Sequence, residues 1–173
     1  EAVFGVDLVA LQLDVAEGAT TPPETQAPRG HAIEVRLYAE DPAADYQPQS
    51  GPLLQLEIDH DVAFDALGRS GVRLDTGFES GNEVGTHYDA MLAKVIAWAP
   101  TRGQAARQLA SALDRAEIAG ITTNRDQLVR ILRDEDFLAG RVSTAVLAER
   151  PDLHGSEPDE RTLQLAGFVA AIG

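Results

Sequence analysis

Cysteine is absent from the 173-residue chain, which removes disulfides, thiol nucleophiles and thiolate metal sites from consideration. A small disulfide-stapled secreted fold is thereby disfavoured, and the cytoplasm is the expected compartment. Basic residues are scarce: 14 Lys and Arg stand against 28 Asp and Glu, giving a formal charge of −14. Such a surface repels nucleic acid and anionic membranes, so neither is expected as a partner. Its overall field does not gather small anions either, and any anion site must be made by a local cation. No apolar run approaches the roughly 20 residues that span a bilayer, and the N-terminus lacks the basic and apolar signature of a signal peptide. The chain opens on Glu1 instead of Met, which reads as an excised fragment. The histidines, His31, His60, His87 and His154, are scattered without ligand spacing, so no metal site is expected.

What is present supports one domain with a proper core plus a tail. Asp7 is placed to cap a helix carrying Leu8, Val9, Leu11, Leu13, Val15 and Ala16, with Gly18 as a left-handed stop. Thr20 to Glu24 is a connector. Residues 30–40 alternate as a half-buried strand, Ile33, Val35, Leu37 and Ala39 facing a core and Glu34, Arg36, Tyr38 and Glu40 facing away. Asp41-Pro42 forces a turn. A second strand holds Leu54, Leu56 and Ile58 alternating with Gln55 and Glu57, and a short third one has Val72 and Leu74 flanking Arg73.

Gly77, Gly81 and Gly85 punctuate a loop that is not a phosphate cradle, because it carries two glutamates and leads to a strand instead of a helix; a tight hairpin or bulge is expected. Met91 to Ala99 reads as a central strand buried on both faces, with a helix left open by periodicity alone. Within it Lys94 is expected to snorkel or to pair with Asp89, not to act in catalysis. Thr101 with Gln104 forms a capping box for a helix running to Gly120, and Thr123 with Asp126 repeats the device. A short helix is expected around Thr144 to Ala148, a break at Pro151, and a last helix capped by Ser156 with Leu165, Phe168, Val169 and Ile172 as its stripe. The fold class is α+β: a small antiparallel sheet built from residues 30–99, covered on one side by helices.

Arg36 is the side chain with the clearest chemistry. Its planar guanidinium offers several donors in fixed geometry to a carboxylate, a bicarbonate or a developing oxyanion. Periodicity alone favours a plain surface row of ion pairs, worth about 0–1 kcal/mol each.

Several separated motifs, in order, bear on that choice. They are Gly5-Val6-Asp7-Leu8-Val9; Gly30-His31-Ala32-Ile33-Glu34 with Arg36; Ala39-Glu40-Asp41-Pro42; Tyr88-Asp89-Ala90-Met91 with Lys94; Gly120-Ile121 with Thr123-Asn124; and Phe137 with Gly140. Together they resemble the C-terminal domain of biotin carboxylases, ATP-grasp enzymes of biotin-linked acyl-CoA carboxylases, from residue 1 to about residue 149. The resemblance divides the chain into residues 1–150, whose first helix belongs to the end of the ATP-grasp region, and residues 151–173, a linker and helix toward a following domain. One departure is the loop after Pro42, a residue longer than usual, which obscures its path.

The resemblance implies a ligase reaction in which ATP phosphorylates bicarbonate and the carboxyl group passes to a ureido nitrogen of carrier-bound biotin. ATP and Mg would be held by an N-terminal ATP-grasp part that has no counterpart here, so the fragment is expected to bind no cofactor and to be inactive alone. The implied partners are that N-terminal part, the biotin carrier domain, a carboxyltransferase subunit and a second copy in a homodimer. Arg36 matches the arginine that meets the biotin ureido oxygen. Arg73 and Asp89 match positions near the dimer interface and the edge of the biotin site, with an ordinary strand-edge ion pair as the plain alternative. Thr144 falls where the last short helix nears the adenine pocket, although a helix-start Thr needs no ligand to explain it. The other function in view is a non-catalytic dimerisation or carrier-docking module with Arg36 as a structural ion-pair partner. The acyl-CoA used downstream is not encoded in this chain.

Overall fold

The computed structural model describes residues 1–20 and 27–155. Most of the Thr20–Glu24 connector and the whole of the expected last helix lie outside them. The elements in chain order are α1 (Leu8–Ala16), β1 (His31–Tyr38), β2 (Glu40–Asp41), β3 (Gln47–Pro48), β4 (Gly51–Leu53), β5 (Gln55–Glu57), β6 (Val62–Ala63), β7 (Gly71–Thr76), β8 (Asn82–Val84), β9 (Met91–Ala99), α2 (Arg102–Asp114), β10 (Glu117–Ala119), α3 (Arg125–Arg133), α4 (Glu135–Leu138) and α5 (Val146–Glu149). The main sheet has the order β1-β9-β7-β6, antiparallel except for the two-residue β6, which joins its edge parallel to β7. Three two-stranded ribbons flank it, β2 with β3, β4 with β8, and β5 with β10.

Each element follows from local chemistry. The Asp7 carboxylate accepts the Ala10 N–H at 2.9 Å and opens α1, and Gly18 at φ +104° ends it. None of the residues of α1 is buried. Thr101 caps α2 as expected, the Gln104 N–H donating to Thr101 Oγ1 at 3.3 Å, while the Thr101 hydroxyl donates to Gln104 Oε1 at 3.1 Å in place of the backbone bond that would complete the box. The α2 helix then lays Ala105, Ala106, Leu109, Ala110 and Leu113 onto the sheet, where Ile33, Leu37, Val72, Leu74, Val95 and Ala97 complete the core. The alanines let the helix backbone approach closely, while each fully buried leucine contributes about 1.5–3 kcal/mol.

Several expectations are corrected. The second strand does not run unbroken through residue 58: it switches partners at Leu54, with β4 paired to β8 and β5 to β10. Leu54 is exposed and Leu53 takes the core position instead. Helix α2 stops at Asp114, not at Gly120; the Ala116 N–H tightens the last turn onto Leu113 O at 3.1 Å, and Glu117–Ala119 then runs as β10. The Gly77–Gly85 loop closes a turn in which the Glu79 N–H meets Asn82 Oδ1 at 2.9 Å, but β8 crosses to β4 and does not fold back on β7 as a hairpin. The β9 strand is central, but its burial is uneven: Leu92, Ala93, Val95, Ala97 and Ala99 are buried, whereas Lys94, Ile96 and Trp98 are half-buried.

Beyond residue 150 packing continues, with a 3-10 turn at Pro151–Leu153, Leu153 buried and the His154 ring edge-on to Tyr46 at 5.6 Å. Tyr46 itself ends the loop after Pro42. That loop makes a 3-10 turn over Pro42–Ala44, passes through left-handed Asp45 and Tyr46, and returns as β3. The Tyr46 hydroxyl accepts a hydrogen bond from the buried Gln127 amide at 2.8 Å, which anchors the longer loop to α3.

Candidate active-site face of the sheet

Register sorts the sheet's two faces. Directly paired residues project to the same side, so Ile33, Ala97 and Val72 form one core row while Arg36, Lys94 and Asp75 form a row on the open face. The adjacent open row is Glu34, Ile96 and Arg73. Arg36 therefore stands on the face that α2 does not cover, and its side chain is 63% exposed. Its nearest acid is Glu34, at 3.7 Å from Nε, a loose contact. The Tyr38 side chain first, and Glu34 after it, raise the guanidinium's pKa above its ordinary value, so Arg36 stays a permanent cation.

The other two cations of this face are held. Arg73 donates from Nε and Nη2 to the two carboxylate oxygens of Asp75, both at 2.8 Å, and Lys94 Nζ reaches Asp75 Oδ2 at 3.1 Å. Lys94 is thus paired with Asp75 and not with Asp89, because Asp75 is its direct neighbour in register. Burial pushes the Asp75 carboxyl up, but hydrogen bonds from Arg73 and then Lys94 outweigh it and hold the group below the usual carboxylate range. A carboxylate with a depressed folded-state pKa stabilises the fold fully above the unfolded value of about 3.9, and that contribution is lost as pH falls through the lower folded value. Replacement of Asp75 by Ala should cost about 1.5–3 kcal/mol, the range for hydrogen bonds to charged groups, and should flatten the acid limb of a stability-against-pH curve. An unchanged acid limb in urea melts at stepped pH would contradict the pairing.

Asp89 lies outside this row. It is exposed, and its Oδ1 accepts the Met91 N–H at 2.8 Å, shaping the start of β9. Burial first, and the Asp89 charge after it, raise the pKa of Glu40. Thr144 sits exposed in the turn before α5, and the hydroxyl that caps the turn belongs to Ser143, which accepts the Ala145 N–H at 3.2 Å. No hydrogen bond or ion pair among the described residues joins Thr144 to the Arg36 row. No group of three or more potential metal ligands occurs among the described residues, and no helix there is long and apolar enough to cross a membrane.

One residue was missed by the pattern. Thr123 was expected to cap α3, but Asn124 occupies the N-cap and Thr123 Oγ1 receives only the Arg125 N–H at 3.4 Å. The Asn124 side chain turns away from its own helix to β1, where Oδ1 accepts the Tyr38 N–H at 3.0 Å and Nδ2 donates to Arg36 O at 3.1 Å. The signal was an Asn at a helix start followed by no acceptor of its own; its partner strand lies 86 to 88 residues away and leaves no local trace.

The family model of the biotin carboxylase C-terminal domain matches residues 34–149. The mitochondrial methylcrotonoyl-CoA carboxylase subunit alpha of Rattus norvegicus is 38% identical over 146 residues, covering 83% of this chain and 19% of that protein. Pyruvate carboxylase 1 of Caenorhabditis elegans is 35% identical over 179 residues, 99% of this chain and 15% of its own length. Among solved structures, the biotin carboxylase domain dimer of Hydrogenobacter thermophilus 2-oxoglutarate carboxylase, in complex with MgADP, ADP and bicarbonate, superposes with a TM-score of 0.75 at 30% identity, over 90% of this chain and 33% of that one.

The chain belongs to the biotin carboxylase C-terminal domain family. It spans about a fifth or less of the two curated relatives' length.

Proposed function

We propose that this chain completes the biotin-carboxylating site of a biotin-dependent carboxylase, presenting Arg36 to the ureido oxygen of carrier-bound biotin. The observation that carries the reading is the difference between cations on the open face: Asp75 holds Arg73 and Lys94 at 2.8–3.1 Å, whereas Arg36 is exposed and only grazes Glu34. Biotin, when bound, supplies the ureido nitrogen that accepts the carboxyl group. The residues here fit its oxygen, since Arg36 offers planar N–H donors from a fixed strand. They do not fit ATP with Mg, because no cluster of ligating side chains occurs among the described residues, and that part of the chemistry is assigned to an ATP-grasp region outside this chain.

Arg36 would hold the ureido oxygen, where negative charge would develop as the neighbouring nitrogen reacts. Arg36 meets that charge with a donor that needs no reorganisation and cannot lose its proton, which lowers the barrier more than it stabilises the neutral ground state. Asp75 holds Arg73 and Lys94, the latter the cross-strand neighbour of Arg36, and offsets part of their positive charge beside the guanidinium. Arg73 and Asp89 are proposed to serve subunit contact or to support the biotin site, in a homodimer like that of the Hydrogenobacter domain. Thr144 is read as a turn residue without a ligand.

An acyl-CoA carboxylase α subunit is the proposed setting, supported by the rat relative. The nematode relative carries the same domain in a pyruvate carboxylase, so the final acceptor is chosen by parts outside this chain, a carboxyltransferase among them. Residues 151–173 are proposed to lead toward a following domain. The test is to supply the ATP-grasp region by fusion. The fusion should cleave ATP with bicarbonate and carboxylate biotin, while residues 1–173 alone should cleave none. Restored assembly that carboxylates biotin equally well without Arg36 would favour a docking module instead.

A further inference from the structure

We infer that Asn124 is a positioning residue for Arg36, acting through the backbone of the strand that carries it. The inference rests on the reading of Arg36 given above and deepens it. Among the described residues, strand β1 is the edge of the main sheet and pairs only with β9. That pairing is regular from His31 opposite Ala99 to Leu37 opposite Ala93, then shifts between Leu37 and Tyr38. A register shift bends a strand and re-aims its side chains, and here it falls directly beyond Arg36. The ladder to β9 therefore does not by itself fix the direction of the chain at this point.

Asn124 acts on the opposite, free edge at the same residues. Its Oδ1 accepts the Tyr38 N–H at 3.0 Å, its Nδ2 donates to Arg36 O at 3.1 Å, and its own N–H donates to Tyr38 O at 3.1 Å. The side-chain amide thus stands where a neighbouring strand's peptide would stand, and its two bonds, with the one from the backbone N–H, bracket Leu37, which is fully buried. Asn124 is itself 7% exposed, so water does not compete for these groups. Only an uncharged amide supplies a donor and an acceptor side by side in this geometry. A carboxylate would face Arg36 O without a donor, and a truncated side chain would leave Arg36 O and the Tyr38 N–H unpaired in a buried place.

A helix-start residue is thereby used to hold a strand. Its role is one of aim: the guanidinium's position over a reacting group follows the direction of the Arg36 Cα–Cβ bond, and a displacement on the order of 1 Å can cost about 100-fold in rate.

The experiment uses the full-length enzyme that carries this chain, with free biotin as acceptor. Asn124→Ala is expected to lower kcat/KM for biotin by about 10- to 100-fold, while bicarbonate-dependent ATP cleavage without biotin, which needs no Arg36, stays unchanged. In an Arg36→Ala background, Asn124→Ala should add no further loss to the biotin step, although it lowers the thermal midpoint in both backgrounds. Should Asn124→Ala fail to fold, Asn124→Asp keeps the acceptor for the Tyr38 N–H and loses the donor to Arg36 O, and an intermediate loss in the biotin step is expected. A normal biotin step in a folded Asn124 variant overturns the inference and leaves Arg36 standing. So does an equal loss in both backgrounds, which marks a structural role only. Normal biotin turnover in Arg36→Ala alone overturns the reading beneath it, a result separable from either of these.

Discussion

Replacing Arg36 by Ala in the intact enzyme should slow carboxylation of biotin by roughly 100- to 1000-fold, the loss typical of removing one donor aimed at a developing oxyanion. The fold should not notice. Arg36 is exposed, its contact with Glu34 is 3.7 Å, and a surface pair of that kind contributes about 0–1 kcal/mol. The two statements together make the prediction sharp: a large kinetic effect with a thermal midpoint close to that of the unaltered protein. Arg36→Lys discriminates further. A lysine keeps the charge but offers a point-like ammonium in place of the planar fork, so partial recovery is expected, larger than Ala and well short of wild type. With ATP assigned to a region outside this chain, its cleavage without biotin should survive both changes. Near-normal carboxylation by purified Arg36→Ala would remove the assignment, and a parallel loss in ATP cleavage would point to disturbed assembly with the ATP-grasp part.

The sequence made the face legible but not its wiring. Strict alternation through Ile33, Val35 and Leu37 placed Arg36 on the polar side, and the structure has Ile33 and Leu37 buried with Arg36 exposed. Local capping chemistry likewise located α1 and α2 to within a residue at their starts. What failed were judgements that depend on partners distant in the chain. Leu54, Leu56 and Ile58 alternate well enough for one strand, yet the strand breaks because Gly120 brings another segment against it. Lys94 had Asp89 near it in sequence, but register gave it Asp75. Thr123 with Asp126 had the right spacing for a capping box, whereas Asn124 occupies the N-cap and turns its side chain to an edge strand. Arg73 and Asp75, two residues apart on one strand face, were open to recognition from spacing alone. Dihedral preference and periodicity are local quantities; cross-strand register is not, and the positions that tune Arg36 lie in the second category.

Gly120 is the position where a single added methyl group should do most damage to the fold. It sits at φ +107°, and a Cβ there would lie 2.1 Å from Pro52 O and 2.8 Å from Leu54 N. Both are backbone atoms, held in place because the Leu54 N–H donates to Ala119 O at 2.8 Å, the bond that joins β4, β5 and β10. The clash cannot be relieved by turning a side chain. Conformational strain for a non-glycine residue and overpacking each cost about 1–3 kcal/mol, so Gly120→Ala should destabilise by about 3 kcal/mol or more. Gly140 provides the control, since it also has positive φ, +70°, but nothing lies within 4 Å of a built Cβ; Gly140→Ala should show the strain alone, about 1 kcal/mol. Thermal or urea unfolding of the two variants separates close approach from dihedral preference, and equal losses would remove the first. Asn124 follows Gly120 by four residues, so the same substitution should also loosen the clamp on β1. The Gly120→Ala enzyme that remains folded at low temperature is therefore expected to lose biotin carboxylation more than ATP cleavage, tying the turn that packs the ribbon to the aim of the guanidinium.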